Sequence, residues 1–128
     1  MRLLLDTCTF LWAVSDPAQL SERGRSLIID PDNEVFLSVV SAWEIALKQG
    51  LGKLELSEPA VRYVPRYREA LEVAELALDE ASALQVSQLP TPHNDPFDRA
   101  LVCQAIVHGL TILTPDAQIA RYPVPVTW

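Results

Sequence analysis

The chain has 128 residues, of which 49% are hydrophobic and 21% are charged. A chain of this length and apolar content can form one compact core but not two, so we expect residues 1–128 to be a single domain. The formal net charge is −7, which is unusual for a nucleic-acid binder, because attraction to phosphates normally needs a basic surface. No apolar run is long enough to span a bilayer, which favours a cytosolic protein with no membrane partner.

Turn signals divide the chain into short strands that alternate with helices. The first predicted elements are a strand at 2–6, a helix from Thr7 or Thr9 to Val14, a helix at 22–29, a strand at 34–39 and a helix that Ser41 caps and Gly50 ends. There follow a helix at 59–74 kinked by Pro65, a short strand at 74–78, a helix at 79–89, a helix opened by Asp98 and buried at 101–108, and strands at 112–114 and 124–128. Alternating strands and helices pair in parallel through right-handed crossovers. The sequence therefore predicts a three-layer α/β fold with a central parallel sheet.

Four acidic residues stand at the boundaries of these elements. Asp6 ends the first strand, Asp116 follows the strand at 112–114, and Glu44 and Asp98 lie near the starts of two helices. In an open parallel sheet, ligands bind beyond the carboxyl ends of the strands, so we expect the four carboxylates to share one edge. Four anions gathered there would repel one another, and a divalent cation removes that conflict.

The chemistry of these ligands indicates which metal and which reaction to expect. Ligation by oxygen alone favours Mg²⁺ or Mn²⁺ over zinc or copper. Such ions activate water and stabilise the charge that develops at a phosphoryl group, so the pattern predicts hydrolysis of a phosphodiester. Any one acid taken alone is more often a helix cap than a ligand. It is the placement of all four at one sheet edge that favours a site.

The residues around these acids resemble the signature blocks of a known family. The blocks are Leu4-Leu5-Asp6-Thr7, Ser41-Ala42-Trp43-Glu44-Ile45, Asp95-Pro96-Phe97-Asp98-Arg99 and Leu113-Thr114-Pro115-Asp116. In this order and spacing they are similar to those of PIN-domain proteins, most closely the VapC-like toxin ribonucleases, and the resemblance runs end to end. It implies a Mg²⁺- or Mn²⁺-dependent endoribonuclease with an RNA substrate and a small antitoxin encoded alongside. It also implies a PIN-like fold with five parallel strands, and a homodimer.

The family's acidic quartet carries over to this chain by position. Asp6, Glu44, Asp98 and Asp116 match it, and the resemblance implies that they are both catalytic residues and metal ligands. Asp6 would be the central ligand, and Asp98 would share or bridge the metals. Glu44 and Asp116 would hold a second metal or orient water.

Residues next to the quartet are candidates for holding the ligands in place. The hydroxyls of Thr7 and Thr114 adjoin acids and can bond to a ligand or to water. Asp95 is a third candidate, but the 94–96 segment also has the composition of a turn, and we favour the turn. His93 lies in a proline-rich loop, and we interpret it as a loop residue rather than as a metal ligand or general acid.

Other residues near the blocks allow more than one interpretation. Lys48 lies four residues after Glu44, so it forms a surface ion pair if both point outward, and contacts a phosphate if Glu44 faces the site. Trp12 and Trp43 lie on apolar helical faces and are predicted to be core or interface residues.

One stretch of the acidic chain is locally basic and has interleaved aromatic residues. Its arginines, Arg62, Arg66 and Arg68, are candidates for gripping single-stranded RNA by charge and stacking. A solvated helix face is the slightly favoured alternative. Arg99 is a further candidate for an RNA phosphate, with an intramolecular ion pair as the alternative.

Two competing functions fit parts of the pattern. A PIN fold can be a non-catalytic binding module in which the acids only cap helices. A phosphohydrolase would use Asp6 as an aspartyl nucleophile, although that chemistry commonly places a second acid two residues on, where this chain has Cys8. Cys8 and Cys103 both lie in apolar helical contexts and are predicted to be buried core residues.

Overall fold

The computed structural model describes residues 1–128 and contains one sheet of five parallel strands. The strands are β1 (Arg2–Leu5), β2 (Glu34–Ser38), β3 (Ala74–Leu76), β4 (Thr111–Leu113) and β5 (Val126–Thr127). The predicted α/β class with a central parallel sheet is confirmed.

Six α-helices connect these strands. They are α1 (Thr7–Ser15), α2 (Glu22–Ile29), α3 (Val39–Gly50), α4 (Ala60–Ala70), α5 (Glu80–Leu84) and α6 (Pro96–His108). Short 3-10 helices lie at Pro17–Gln19, Gln85–Gln88 and Ile119–Arg121. None of the helices has both the length and the apolar character that crossing a membrane requires.

The sheet is buried on both faces. Leu3, Leu4 and Leu5 of β1 are completely buried, and their side chains alternate between the two faces because successive residues of a strand point in opposite directions. Leu3 and Leu5 join an apolar cluster with residues of α1, α3 and α4, whereas Leu4 joins a second cluster with residues of α6. Helices therefore cover both faces, and the predicted three-layer α/β/α arrangement is confirmed.

The order of the strands reverses at the centre of the sheet. The order is β3-β2-β1-β4-β5, so the chain builds one side of β1 and then crosses to the other between β3 and β4. Ligands of open α/β sheets bind at such a reversal, beyond the carboxyl ends of the strands. In the β1–β4 pair, Leu5 lies opposite Leu113. The residues that follow these two strands are therefore neighbours.

Two predicted helix caps are wrong, for the same reason. Helix α3 begins at Val39, and its cap is Ser38, whose side chain accepts the backbone N–H of Val40. Ser41, the predicted cap, is buried inside the helix. In α1 the cap is Asp6 and not a threonine. In both cases a polar residue that ends a strand or directly follows it also caps the next helix, so no separate loop is needed.

Helix α6 begins at Pro96, two residues before the Asp98 that was expected to open it, and its cap is Asp95. The Asp95 carboxylate accepts the backbone N–H groups of Phe97 and Asp98 at 2.9 and 3.2 Å. Pro96 occupies the first helical position, where a missing N–H removes no helical hydrogen bond. Asp95 therefore caps α6, and its bond to the N–H of Phe97, two residues on, is an Asx-turn, in line with the turn composition of the 94–96 segment.

The helix predicted over 59–74 is shorter in the structure, and its proline does not divide it. Helix α4 spans Ala60–Ala70 with Pro65 inside it. Pro65 cannot donate to the carbonyl of Val61, and since Val61 is exposed, water can satisfy that carbonyl. Soon after α4, Glu72 takes a left-handed conformation with φ 57°, which turns the chain into β3.

Candidate metal centre

Asp6 lies at the carboxyl end of β1, where the strand order reverses. Its side chain is 5% exposed. One carboxylate oxygen accepts the backbone N–H of Thr9 at 2.8 Å, and the other accepts the hydroxyl of Thr114 at 2.5 Å. Burial raises the pKa of Asp6 above its usual value, although these hydrogen bonds oppose the shift. The buried carboxylate is therefore held by fixed donors but lacks a full counter-charge.

Asp116 is brought to Asp6 by the same threonine. The Thr114 hydroxyl oxygen, which donates to Asp6, also accepts the backbone N–H of Asp116 at 3.0 Å. Burial is the main cause that raises the pKa of Asp6, and the negative charge of Asp116 adds to the increase. Thr114 thus links the acid after β1 to the acid after β4.

Glu44 reaches the same edge from the second turn of α3. It is 6% exposed, and its Oε1 accepts the hydroxyl of Thr7 at 2.6 Å. Its Oε2 is paired with the ammonium group of Lys48, one turn further along α3. Since Glu44 is buried and Lys48 is partly exposed, the Glu44–Lys48 pair is not the outward-facing surface pair considered from the sequence.

Asp98 contributes from the first turn of α6. Its Oδ2 lies 3.2 Å from Nε2 of His93. Burial is the main cause that raises the pKa of Asp98 to about 6, and the negative charges of Asp95, Asp116 and Glu44 add to the increase. Asp98 is therefore close enough to Glu44 of α3 and to Asp116 after β4 for their charges to raise its pKa.

The Cys8 thiol on α1 lies close enough to three of the acids for their charges to affect its pKa. Burial is the main cause that raises its pKa, and the negative charges of Asp6, Glu44 and Asp98 contribute. As a residue, however, Cys8 is exposed, so its prediction as a buried core residue is wrong, whereas Cys103 is buried as predicted. The three acids therefore surround the start of α1.

The acids are gathered but do not form a closed ligand shell. No group of three or more His, Cys, Asp and Glu side chains has, as it stands, a geometry that could hold a metal ion. Several carboxylate oxygens instead face protein donors: Thr9 and Thr114 for Asp6, Thr7 and Lys48 for Glu44, and His93 for Asp98. A carboxylate oxygen has two lone pairs, so one such hydrogen bond leaves a lone pair for a cation.

Comparison with known proteins identifies the family. A family model described as the PIN domain matches residues 3–125 of the chain. The chain belongs to the PIN domain family. The family predicted from the four acidic blocks is thereby confirmed.

This PIN domain is similar to several known proteins. Ribonuclease VapC22 of Mycobacterium tuberculosis is 27% identical over 98% of this chain and 96% of its own length. Ribonuclease VapC16 of the same organism is 40% identical over 44% of this chain and 40% of its own length. Among solved structures, VapBC2 from Rickettsia felis bound to a promoter DNA fragment has a TM-score of 0.76 at 14% identity, covering 100% of this chain and 99% of that one. FitAcB from Neisseria gonorrhoeae has a TM-score of 0.67 at 22% identity, covering 98% and 96%.

Two tryptophans of this PIN domain differ in their exposure. Trp12 is partly buried against the first apolar cluster, 6.1 Å between ring centroids from Trp128. Trp43 is 63% exposed although its ring packs edge-on against Phe97 at 5.1 Å. Trp12 is therefore mainly a core residue, and Trp43 is available to a partner.

The basic segment on α4 is largely engaged within the molecule. Arg66 pairs with Glu58 at 3.0 Å, and Arg68 donates to the carbonyl of Val73 at 3.2 Å. Tyr63 is only 3% exposed, so this ring is not available for the stacking on RNA that was considered beside the slightly favoured helix face.

Helix α4 also runs away from the acidic edge. Leu71 and Glu72, which follow it, line a cavity together with Asn33, the residue that precedes β2 at the amino edge of the sheet. Arg68, near the end of α4, lines the groove that also includes Ser38 and Val39 at the carboxyl end of β2, and its guanidinium is held by the carbonyl of Val73. Arg62, exposed at the start of α4, remains the candidate for an RNA contact from this segment.

Two residues near Asp98 have contacts that were not expected. His93, interpreted as a loop residue, touches both Asp98 and the hydroxyl of Tyr122. Arg99 does not pair with an acid; it donates to the carbonyl of Pro90 at 2.9 Å and to the Tyr122 hydroxyl at 3.1 Å. The contact of His93 with Asp98 had a local signal, since the two are five residues apart. Its contact with Tyr122 had none, because that residue is distant in sequence.

The raised pKa of Asp98 predicts how stability depends on pH in the absence of metal. Its pKa in the folded protein is about 6, whereas an unfolded chain has a value of about 3.9. Between these values only the folded state holds the proton, so the free energy of unfolding falls as the pH rises through about 6. We expect EDTA-treated wild type to melt at a lower temperature at about pH 7.5 than at about pH 5.

Asp98→Asn is the control for that measurement, because it removes the titrating group and keeps its shape. The fall in melting temperature between the two pH values should be smaller in Asp98→Asn than in wild type. An equal fall in the two proteins would show that Asp98 does not hold a proton in this interval.

Proposed function

We propose that this PIN domain is a divalent-metal-dependent endoribonuclease and the toxin of a toxin–antitoxin pair. The observation that carries the proposal is the gathering of Asp6, Glu44, Asp98 and Asp116 at the reversal of strand order. RNA as the substrate is supported by the similarity to relatives named as ribonucleases. An antitoxin partner is supported by the likeness to VapBC structures, one of which, VapBC-5 from Mycobacterium tuberculosis, is described as a member of a family of toxin–antitoxin systems.

The donor set of the quartet fits Mg²⁺ or Mn²⁺. All four candidate ligands offer carboxylate oxygens, the ligands that hard divalent cations prefer. Burial raises the pKa of Asp6 and of Asp98, and neighbouring acids raise both further, so a cation would relieve a repulsion that the fold imposes. When bound, the metal would activate water and stabilise charge on the phosphoryl group.

The chain's own residues would orient the ligands and meet the substrate. Thr114 holds the Asp6 carboxylate, and Thr7 holds that of Glu44. Lys48 has a partly exposed ammonium group beside Glu44, which makes it the basic side chain best placed to contact an RNA phosphate. Its positive charge lies at the site although the whole chain is acidic.

The proposal is tested by cleavage of RNA with controlled metal. We expect cleavage in Mg²⁺ or Mn²⁺, loss of cleavage after EDTA, and recovery when Mg²⁺ is added in excess of the chelator. Thermal unfolding should also shift to higher temperature with Mn²⁺, because a ligand that binds only the folded state stabilises it. Cleavage that EDTA does not reduce would contradict a metal-dependent nuclease.

The two competing functions explain the geometry less well. In a binding module the acids would only cap helices, and Asp6 does cap α1. Glu44, however, lies in the second turn of α3, is buried and caps nothing. An aspartyl nucleophile should be open to attack on a phosphate, whereas Asp6 is 5% exposed with both oxygens hydrogen-bonded.

We also propose an antitoxin-binding surface and a homodimer. An apolar groove of about 350 Å³ between α3 and α4 is lined by Ala42, Ala46 and Val64, and we assign it to apolar residues of the antitoxin. Leu47 and Leu51 continue the exposed stripe of Trp43 along α3, and we assign that stripe to a second copy of the chain. Sedimentation velocity tests this assignment, and a monomeric wild type would contradict it.

The cellular location that we propose is the cytoplasm. Both cysteines are free thiols, which is the usual state in a reducing compartment. Cell fractionation with an antibody against the chain tests this location.

A further inference from the structure

Both ring nitrogens of His93 are engaged by the protein. Nε2 lies 3.2 Å from Oδ2 of Asp98, and Nδ1 lies 2.7 Å from the hydroxyl of Tyr122. The Tyr122 side chain is itself buried in the second apolar cluster at 3% exposure. The His93 ring is therefore clamped between an acid of the quartet and a core tyrosine.

The direction of these hydrogen bonds follows from what each group can donate. An ionised carboxylate only accepts, so Nε2 of His93 must carry the proton that bonds to Asp98. In the neutral ring Nδ1 is then an acceptor, and the Tyr122 hydroxyl donates to it. The Tyr122 oxygen in turn accepts from Arg99 at 3.1 Å. A chain of donors thus runs from Arg99 through Tyr122 and His93 to Asp98.

The loop that carries His93 is tied down on both sides of the ring. Arg99 donates to the carbonyl of Pro90 at 2.9 Å, and Arg121 donates to the carbonyl of Pro92 at 3.2 Å. The Tyr122 oxygen lies 2.7 Å from Nδ1 and 3.2 Å from the carbonyl of His93; since it has one proton to donate, it donates through the shorter contact, to Nδ1. The two arginine contacts fix the backbone that places the imidazole against Asp98.

We propose that His93 is a positioning residue for the metal centre. It orients the Asp98 carboxylate through Nε2–H, and Tyr122 selects the tautomer that makes this possible. The proposal rests on the proposed function, because it supposes that Asp98 is a ligand of a divalent cation. With a proton on Nε2 and the Tyr122 hydroxyl donating to Nδ1, His93 has no free lone pair and is not itself a metal ligand. Such partners orient a ligand carboxylate before the metal arrives.

The first test is Mn²⁺ affinity measured by isothermal titration calorimetry. His93→Phe keeps a ring but removes both nitrogens, and we expect Mn²⁺ binding to weaken by about 10-fold to about 100-fold. His93→Gln keeps a donor near the position of Nε2 and should recover most of the affinity. Tyr122→Phe, which removes only the hydroxyl, should lie between wild type and His93→Phe.

The second histidine provides a matched control. His108 contacts Asp79 at 2.7 Å, at the other end of α6. His108→Phe should leave Mn²⁺ affinity unchanged. A general effect of losing a histidine–aspartate contact would weaken binding in both variants, and that result would overturn the specific role of His93.

The second test reads the tautomer directly. The chain has only 2 histidines, so the imidazole ¹⁵N spectrum of His108→Gln reports His93 alone. Metal-free protein at neutral pH should show the proton on Nε2, and the Tyr122→Phe, His108→Gln double variant should show a mixture. A proton on Nδ1 would overturn the inference even if His93→Phe failed to fold.

The outcomes separate this inference from the proposed function. If wild type binds no Mn²⁺, the metal centre itself is absent and both proposals fail. If wild type binds Mn²⁺ and cleaves RNA, but His93→Phe binds Mn²⁺ equally well, only the role of His93 is overturned.

Discussion

Asp6→Asn is expected to lower the rate of RNA cleavage by more than about 100-fold. Changes to residues that only orient a ligand already reduce metal affinity or activity by about 10-fold to 100-fold, and Asp6 is the candidate ligand itself. The fold should persist, because an asparagine oxygen can still accept the N–H of Thr9 and cap α1. The amide can also donate to the Thr114 hydroxyl, which would rotate to accept it.

Asp16→Asn is the matched control for Asp6→Asn. Asp16 is an exposed acid at the other end of α1, and its replacement removes the same charge without touching the quartet. Both variants should unfold in one cooperative transition, and only Asp6→Asn should lose cleavage. Wild-type cleavage by Asp6→Asn would exclude the quartet as the catalytic site.

The location of the quartet was predictable because parallel sheets impose it. The strands predicted at 2–6 and 112–114 each end at or near an acid, and the carboxyl ends of neighbouring parallel strands meet at one edge. The pairing of β1 with β4 then places Asp6 near Asp116. Glu44 and Asp98 follow from helices that start at the same edge. Only the order of the strands had to be supplied by the fold itself.

The misassigned caps had a weaker local signal. Ser38 and Ser41 are both good caps by residue type, and the sequence does not decide between them. The choice depends on where the strand stops pairing, since Ser38 is the last residue of β2 to pair with β3. Its hydroxyl is also buried against Gln104 of α6 at 2.5 Å, a contact that only the packed helix creates.

The burial of Tyr63 could have been predicted from the sequence. Ala60, Tyr63, Val64 and Tyr67 have the i, i+3, i+4, i+7 spacing of one helical face, and in α4 they pack against the first apolar cluster. The arginines between them necessarily project from other faces. Helical periodicity therefore argues against stacking of RNA on this segment.

The role proposed for His93 could not be predicted from the sequence, because the orientation of its ring depends on the contact with Tyr122. The two residues are separated by 29 positions, and the intervening chain forms α6 and β4. A loop histidine with no packed neighbour is usually solvated. Only the return of the chain after β4, which buries the tyrosine ring, turns this histidine into an oriented donor.

The second large effect concerns the proposed antitoxin. We expect an arginine of the antitoxin to bind the quartet in the metal-free protein, because a planar guanidinium can bond bidentately to clustered carboxylates. Lys48 already pairs with Glu44, so Asp6 and Asp98 lack a full counter-charge and are the natural partners of that arginine. Removing one side of a desolvated, hydrogen-bonded charge pair weakens binding by about 2–5 kcal/mol.

The measurement is the affinity of the neighbouring gene's product for the double variant Asp6→Asn, Asp98→Asn. We expect a loss of at least about 30-fold, the lower end of that range. The double variant Asp16→Asn, Asp30→Asn removes the same charge from acids outside the quartet and should bind almost as wild type does. Replacing the antitoxin's arginine with lysine should weaken binding to wild type and have little effect on the quartet variant. Equal affinity of the two double variants would place the inhibitory contact elsewhere, for example in the groove between α3 and α4.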